Sequence, residues 1–205
     1  MPAVSELSVA RLPLARGGRL LQADISFCVC AGETLSVHGP NGAGKTSLLR
    51  AIAGLLDVPY GCVSFRMGPD IVLANPEDRI GTIGWLGHQD GVKGQLSLRE
   101  NLQFHCRYND SSGNTEDALA TLNLGHLRDV PARYLSHGQR RRLAFARLLV
   151  VPRSLWLMDE PFSAIDAEAK ACFRRQVQEH CENGGIVVAA THEPLGVQGA
   201  SLELQ

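Results

Sequence analysis

The chain has 205 residues, 20 Lys and Arg against 21 Asp and Glu, a formal net charge of −1 and a pI of about 6.6, so no bulk basic field points to a nucleic-acid partner. That length suits one α/β core, or one core with a small inserted subdomain, and two independent domains are not expected. No apolar run approaches a membrane span, and Met1 to Ala10 lacks a basic stretch followed by an apolar one, so a cytoplasmic chain without a signal peptide is expected.

In chain order, Leu7 to Phe27 reads as two short strands around the turn Arg16-Gly17-Gly18, followed by Cys28 to Cys30 and a second turn at Ala31-Gly32. Glu33 to His38 reads as a strand. It delivers Gly39-Pro40-Asn41-Gly42-Ala43-Gly44-Lys45-Thr46, then Ser47, which fits the phosphate-loop pattern G-x-x-x-x-G-K-[ST] at every fixed position. Backbone N–H groups turned inward around phosphates need glycines where a Cβ would collide or φ must be positive, and Gly39, Gly42 and Gly44 supply them. Lys45 then opens a helix whose N-terminal dipole faces the anion; its ammonium can reach the β/γ-phosphates, and the Thr46 hydroxyl is set for Mg²⁺. Average composition produces the bare pattern by accident in about one chain in a hundred of this length. The following helix is predicted from Leu48, Leu49, Ile52, Leu55 and Leu56 at helical spacing.

Gly61 to Arg66 alternates like a strand, and Gly68 to Asp78, with Pro69 and Pro76, reads as a surface loop or hairpin. Ile83 to Gly87 resembles a buried strand ending at His88-Gln89, where open α/β sheets bind ligands; taken alone, Gln89 reads as an ordinary loop residue. From Ser97 the character is helical: Ser97 to Glu100 is a capping-box pattern, with Leu98, Leu102 and His105 along one face. Tyr108 to Thr115 is loop-like, Ala118, Leu122 and Leu124 mark another short helix, and Pro131 to Tyr134 breaks it. Leu98 to Tyr134 is thus a helical insert between sheet strands.

Leu135-Ser136-His137-Gly138-Gln139 opens a further helix, with Ser136 as N-cap and Gly138 and Gln139 in the first turn, so it too offers free N–H groups to an anion. Arg140, Arg141 and Arg142 read as a solvated or ion-paired helix face in preference to a nucleic-acid patch, because no aromatic residues interleave with them. Leu155 to Glu160 is a buried strand ending in two carboxylates, Asp159 and Glu160. Beside a phosphate loop, two acids divide the labour: one can hold Mg²⁺, the other can take a proton from an attacking water. Pro161 to Asp166 is a turn, Ala167 to Cys181 a helix with Phe173, Val177 and Cys181 inward, and Ile186 to Thr191 the last strand, delivering His192. The six cysteines form no C-x-x-C pair and read as small buried hydrophobes. Cys28 and Cys30 share a strand face, which makes a metal or redox role geometrically possible, though the core reading is favoured.

These pieces in this order resemble the nucleotide-binding subunits of ATP-binding cassette (ABC) transporters: the phosphate loop, Gln89, the Leu135 to Gln139 signature, Asp159-Glu160, the Ser163 to Asp166 turn and Thr191-His192. The resemblance implies an α/β P-loop NTPase fold, with a RecA-like, mainly parallel core, an N-terminal antiparallel β region and an inserted helical subdomain. Its expected division within a single 1–205 domain is 1–33 and 61–80 for the β-rich region, 97–135 for the helical part, and 34–60, 81–96 and 136–205 for the nucleotide-binding core. It further implies ATP and Mg²⁺ as cofactors: Gly39 to Ser47 and Gln89 around ATP; Thr46, Gln89 and Asp159 around Mg²⁺; Lys45 on the β/γ-phosphates; Glu160 polarising water; and His192 on the γ-phosphate. Ser136, Gly138 and Gln139 would act on ATP held by a second copy of the chain, with Asp166 at the dimer seam. A narrower resemblance, to the ATPases of bacterial haem-handling complexes for cytochrome c biogenesis, rests on Gly87 to Lys93, Leu98 to Phe104, the arginine run, Glu160 to Asp166, Gly184 to Val187 and Thr191 to Leu195. It implies integral membrane haem-exporter partners, release of a haem-loaded chaperone, and a peripheral place on the cytoplasmic face of the inner membrane.

Three departures stand out. Leu14-Ala15-Arg16-Gly17 occupies the region where an aromatic residue commonly stacks on adenine, and Arg16 could stack there or be a solvent-exposed turn residue. His137 replaces a small signature residue, and His38 precedes the loop; neither receives a role. Four other readings stay open: the same engine serving another substrate, a soluble cassette ATPase acting on DNA or ribosomes, a nucleotide-gated subunit without turnover, and a P-loop kinase.

Overall fold

The structure, a computed structural model, describes residues 3–17, 19–59 and 62–205, and of Arg16 and Arg19 the backbone alone. Gly18 and Gly61, at the expected hairpin turn and strand start, and the Arg16 side chain, the alternative adenine contact, lie outside it. The first two strands, β1 (Glu6–Arg16) and β2 (Arg19–Cys30), form one long antiparallel hairpin that runs straight through Cys28 to Cys30. The two expected strands are present but longer than expected, because Leu7, Val9, Leu12 and Leu14 keep one buried face despite register shifts beyond Val9, where Arg11 adopts φ 48°. β3 (Thr34–His38) leads into the phosphate loop and α1 (Lys45–Ile52).

Helix α1 stops a turn earlier than the leucine spacing predicts. Gly54 at φ 74° donates to Ala51 O at 3.1 Å, and Leu55 N donates to Arg50 O at 2.8 Å, the paired bonds of a glycine-terminated helix end. Leu55 is therefore left 65% exposed.

β4 (Val63–Met67) joins the antiparallel sheet beside β1, and β5 (Ile71–Leu73) folds back on it, so the Gly68 to Asp78 stretch is a hairpin followed by the single turn α2 (Pro76–Arg79). After β6 (Ile83–Leu86) come α3 (Leu98–Tyr108) and α4 (Thr115–Thr121). The Ser97–Glu100 capping box is formed as expected. Then follow α5 (His137–Val150), β7 (Leu155–Asp159), α6 (Ala167–Glu182) and β8 (Ile186–Ala190). A ninth strand, β9 (Ala200–Glu203), lies beyond the strand expected to be last. Its Ala-Ser-Leu-Glu sequence does alternate apolar and polar residues, but over only four largely exposed positions, so its pairing with β3 is what identifies it.

The central sheet has the order β6-β7-β8-β3-β9 with every pairing parallel; the four-stranded sheet has the order β2-β1-β4-β5 and is antiparallel. β7 and β8 are buried on both faces, and their period of two divides the core. Trp156, Met158, Val187 and Ala189 pack with α5, α6 and the 97–135 helices, whereas Leu155, Leu157, Ile186 and Val188 pack with α1 and the antiparallel sheet. Phe173, Val177 and Cys181 of α6 point inward as predicted.

The cysteines correct the sequence reading. Cys106 and Cys181 are buried, but Cys28 and Cys30 are exposed and Cys62 and Cys172 partly so. On β2 the inward positions belong to Ile25 and Val29, which turns Cys28 and Cys30 outward on either side of Val29.

The His180 ring lies flat on Trp156, with centroids 3.9 Å apart and an interplanar angle of 7°. Burial pushes its pKa down to about 4. The unfolded chain therefore binds the extra proton between pH 6.5 and 4, and stability falls as pH drops through that window, by up to about 3 kcal/mol at 1.36 kcal/mol per unit. His105, which burial pushes to about 4 as well, acts in the same direction. The His180→Gln variant is expected to be less stable at pH 8 and to lose a smaller increment on acidification, as read from urea midpoints at pH 8 and pH 4.5.

Candidate nucleotide site

The phosphate loop is shaped by its glycines. Gly39 (φ 135°), Gly42 (φ 91°) and Gly44 (φ 107°) all occupy positive φ, and a Cβ on Gly39 would meet Leu204 O at 2.5 Å. Gly44 caps α1 without a side-chain bond, leaving the first-turn N–H groups of the helix available to an anion. Lys45 is 8% exposed, and its Nζ donates to Gly39 O at 2.6 Å and Pro40 O at 3.2 Å, which holds the ammonium at the loop's rim.

A cavity of about 220 Å³ opens here, at the C-terminal end of the parallel strands. Pro40, Asn41, Gly42, Gly44, Lys45, Thr46 and Ser47 line it from the loop; Asp159 and Glu160 line it from the end of β7. Gly39 and Ala43 do not: they are turned into the fold, Ala43 into the core beneath the loop. Thr46 Oγ1 donates to Asp159 Oδ2 at 2.9 Å. Asp159 is 3% exposed and its carboxylate makes no ion pair among the described residues, so a buried carboxylate and a hydroxyl converge as the hard oxygen donors that Mg²⁺ takes. The donor set fits that ion, with Thr46 and Asp159 as its holders.

Glu160 adopts φ 49°, a left-handed conformation that carries of order 1 kcal/mol of strain for a residue with a Cβ. Its N–H donates to Ala190 O at 2.8 Å, its carbonyl accepts from Ser163 N at 3.2 Å, and the turn aims its carboxylate off the strand and into the cavity. His192 is close but loose: Nε2 lies 3.9 Å from Glu160 Oε1, and the side chain is 60% exposed. Thr191 and Glu193 brace it from either side. Thr191 Oγ1 accepts from Glu193 N at 3.0 Å, and the Glu193 carboxylate meets Lys170 at 2.7 Å and Arg174 at 3.3 Å on α6.

Other predicted residues are not gathered at this cavity. Gln89 is exposed and off the lining, whereas its neighbour His88 is on it. Ser136, Gly138 and Gln139 also stay outside the cavity of their own chain. Ser136 accepts from Gln139 N at 3.2 Å, and Gln139 Oε1 accepts from Ser136 N at 2.9 Å, the expected N-cap completed into a capping box. Gly138 packs on the 163–166 turn, where a Cβ would meet Ala164 O at 2.8 Å. Asp166 caps α6, accepting from Ala169 N at 2.8 Å.

Three features escape the sequence reading. Arg141, expected on a solvated or ion-paired face, makes the ion pair with Asp90 Oδ1 (3.0 Å) but is only 4% exposed, and it also donates to Gly87 O (2.7 Å), Asp159 O (2.7 Å) and Glu160 O (2.9 Å). One guanidinium thus ties the loop after β6 to the acidic end of β7. The stripe Arg141, Phe145, Leu148 at helical spacing contains the signal for its burial. Asn101, 8% exposed, donates to Lys93, Leu96 and Ser97 carbonyls and accepts from Lys93 N, fixing the segment between that loop and α3. Leu21 of β2 lines the cavity and, with buried Leu14, would contact a Cβ on Gly44 at 3.4 and 3.6 Å.

A larger cavity of about 710 Å³ lies at the opposite, N-terminal end of the parallel strands, around Trp156, His180 and Arg153. Its lining carries Asp110 and Glu179 but no phosphate loop, and its guanidinium is already bonded to Gly81 O and Asn109 Oδ1. The chemistry therefore belongs to the smaller cavity.

Residues 22–163 match the ABC transporter family. Among curated proteins, the chain is 46% identical over 195 residues to the cytochrome c biogenesis ATP-binding export protein CcmA of Rhodopseudomonas palustris strain BisB18, covering 94% of each chain. It is 44% identical to the CcmA of Nitrobacter winogradskyi, covering 97% of each. Among solved structures, a putative ABC transporter ATP-binding protein from Pyrococcus furiosus superposes with a TM-score of 0.81 at 24% identity, covering 98% of each chain, a likeness that speaks for the fold alone. Matched across most of its length in sequence and fold, and carrying one phosphate-loop cavity edged by two acids, the chain belongs to the ABC transporter family and is an ATP-binding, ATP-hydrolysing domain of it.

Proposed function

We propose that this chain is the ATPase subunit of an ABC-type inner-membrane complex that exports or handles haem in cytochrome c maturation, and that hydrolysis drives release of a haem-loaded chaperone. The observation that carries the reading is the near full-length match to CcmA proteins named for cytochrome c biogenesis export. The cavity supplies the engine. Lys45 and the loop N–H groups hold the β- and γ-phosphates, Thr46 and Asp159 hold Mg²⁺, whose chemistry there is to neutralise developing phosphate charge, and Leu21 offers an apolar contact towards the base. Glu160 accepts a proton from the water that attacks the γ-phosphorus as the bond to the ADP oxygen breaks, and His192 steadies that carboxylate and the γ-phosphate from the end of β8. Gln89 joins the set when its loop moves inward. Ser136, Gly138 and Gln139 act on the ATP of a second copy, with Asp166 at the seam; that these residues stay off their own chain's cavity supports this arrangement.

Among the described residues no helix is long and apolar enough to cross a membrane; by its likeness to the export-protein relatives, this chain docks on membrane partners at the cytoplasmic side. On the helical insert, Phe104 and Tyr108 are 43% and 80% exposed and stacked at 6.5 Å, with Lys93 over the Phe104 ring at 4.6 Å. An exposed aromatic pair next to the 87–97 segment suits the contact with a membrane subunit. The division into a β-rich region, a nucleotide-binding core and a helical insert at residues 97–135 is part of the same proposal.

The test is a mild-detergent pull-down of the tagged chain from native membranes, alongside Lys45→Ala and Phe104→Ser/Tyr108→Ser variants, with haem absorbance read in each eluate. Haem-handling membrane proteins should co-purify with the parent chain, chaperone release should be lost in the Lys45 variant, and the partners should be lost in the aromatic double variant. Recovery of a different permease keeps the engine and overturns the haem assignment.

A further inference from the structure

Outside the nucleotide site, one group of three potential metal ligands converges among the described residues. Cys28 and Cys30 are exposed and stand two apart on β2, and Glu6 on β1 is the register partner of Cys30. Both sulfurs and a Glu6 carboxylate oxygen lie within 4.8 Å of one another. We propose that Glu6, Cys28 and Cys30 form a site for a thiophilic divalent cation of the zinc class, on the outer face of the antiparallel sheet.

The donor set decides the class. Two sulfurs and one oxygen suit a borderline-soft ion, which completes four-coordination with water, whereas Mg²⁺ and Ca²⁺ demand oxygen donors throughout. A disulfide is the less suitable use of the pair. Residues two apart on a strand have Cα atoms about 6.7 Å apart at 3.3–3.4 Å rise per residue, the outer limit for an unstrained disulfide, whereas an ion bridges sulfurs that need not bond.

Thiolate formation is the cost that binding must meet here. Burial, the Glu6 carboxylate and Cys30 together push the Cys28 thiol up to about 11, so the cluster resists negative charge by itself. A divalent cation reverses that balance and takes the thiols as thiolates. The surroundings leave the site accessible yet oriented. Glu33 Oε2 accepts from Cys30 N at 2.8 Å and fixes that end of β2. Arg66 is 3.7 Å from Glu6, but with side chains 49% and 32% exposed the pair is weak and exchangeable. An ion held here clips β1 to β2 across the hairpin whose Leu14 and Leu21 face Gly44 of the phosphate loop.

The experiment is a Zn²⁺ titration of reduced, metal-stripped full-length protein by calorimetry, with Cd²⁺ as a second probe read by thiolate-to-metal ultraviolet absorption. It compares the parent with Cys28→Ser, Cys30→Ser, their double variant and Glu6→Gln, and with Cys62→Ser and Cys172→Ser as controls. Circular dichroism verifies that each variant is folded. One equivalent should bind and raise the melting temperature; each of the Cys28 and Cys30 changes should weaken binding ~10-fold or more, as loss of a ligand exceeds the 10–100-fold loss seen for its supporting contacts. The controls should bind like the parent. Equal binding by parent and double variant, or loss that follows Cys62 or Cys172, overturns the proposal.

Discussion

ATP turnover by the Glu160→Gln variant is expected to fall by about 10²–10⁴-fold, the range a positioned general base supplies, with ATP binding retained. The substitution keeps side-chain size and leaves the phosphate loop untouched. It also keeps the left-handed backbone, because Ala190 O, Ser163 N and Arg141 hold residue 160 through main-chain atoms. What is removed is the proton acceptor at the mouth of the cavity. Phosphate release measured beside equilibrium nucleotide binding checks this. Parent-level turnover would transfer the role to another group, and loss of both binding and turnover would mean that Glu160 shapes the pocket instead of acting on water.

The largest structural effect is expected from Arg141. Replacing it by Met removes four hydrogen bonds at once and leaves Asp90, whose side chain is only 9% exposed, without its cationic partner. Removing one member of a buried ion pair destabilises by about 3–5 kcal/mol. At about 2–4 °C per kcal/mol for a chain of this size, the melting temperature should drop on the order of 10 °C. Arg141→Lys keeps the charge but cannot reach four acceptors from one planar fork, so it should recover only part of the loss. Scanning calorimetry of the two variants is the measurement. Turnover should fall in both even below their melting temperatures, because the two carbonyls that lose their donor belong to Asp159 and Glu160.

Much of this site is legible in the sequence because its chemistry is local. Glycines at 39, 42 and 44 declare positive φ, and Lys45 and Thr46 follow within the same turn. Asp159 and Glu160 end a strand whose uninterrupted apolar run already implies burial on both faces. What stays hidden depends on distant partners. Arg141 is one of three consecutive arginines; its helical spacing to Phe145 and Leu148 marks it as inward, but its acceptors lie in the loop after β6 and at the end of β7, which only the fold brings together. Leu21 is 23 residues before Gly44 and reaches the cavity because the β1–β2 hairpin folds over it. The outward face of Cys28 and Cys30 is hidden for a related reason: which face of a strand is buried depends on the layer it meets, and composition does not state it.

The strand β9 has a consequence for how this protein is handled. It is the outer neighbour of β3, the strand that feeds the phosphate loop, and Leu204 presses its carbonyl against Gly39 while its N–H binds His38 O at 3.0 Å. The nucleotide cradle is therefore walled by residues more than 160 positions away from it. A cut before Ala200, or a change that displaces Leu204, would act on ATP affinity as a remote lesion. Amide hydrogen exchange at Leu204 then becomes a convenient gauge of an intact cradle.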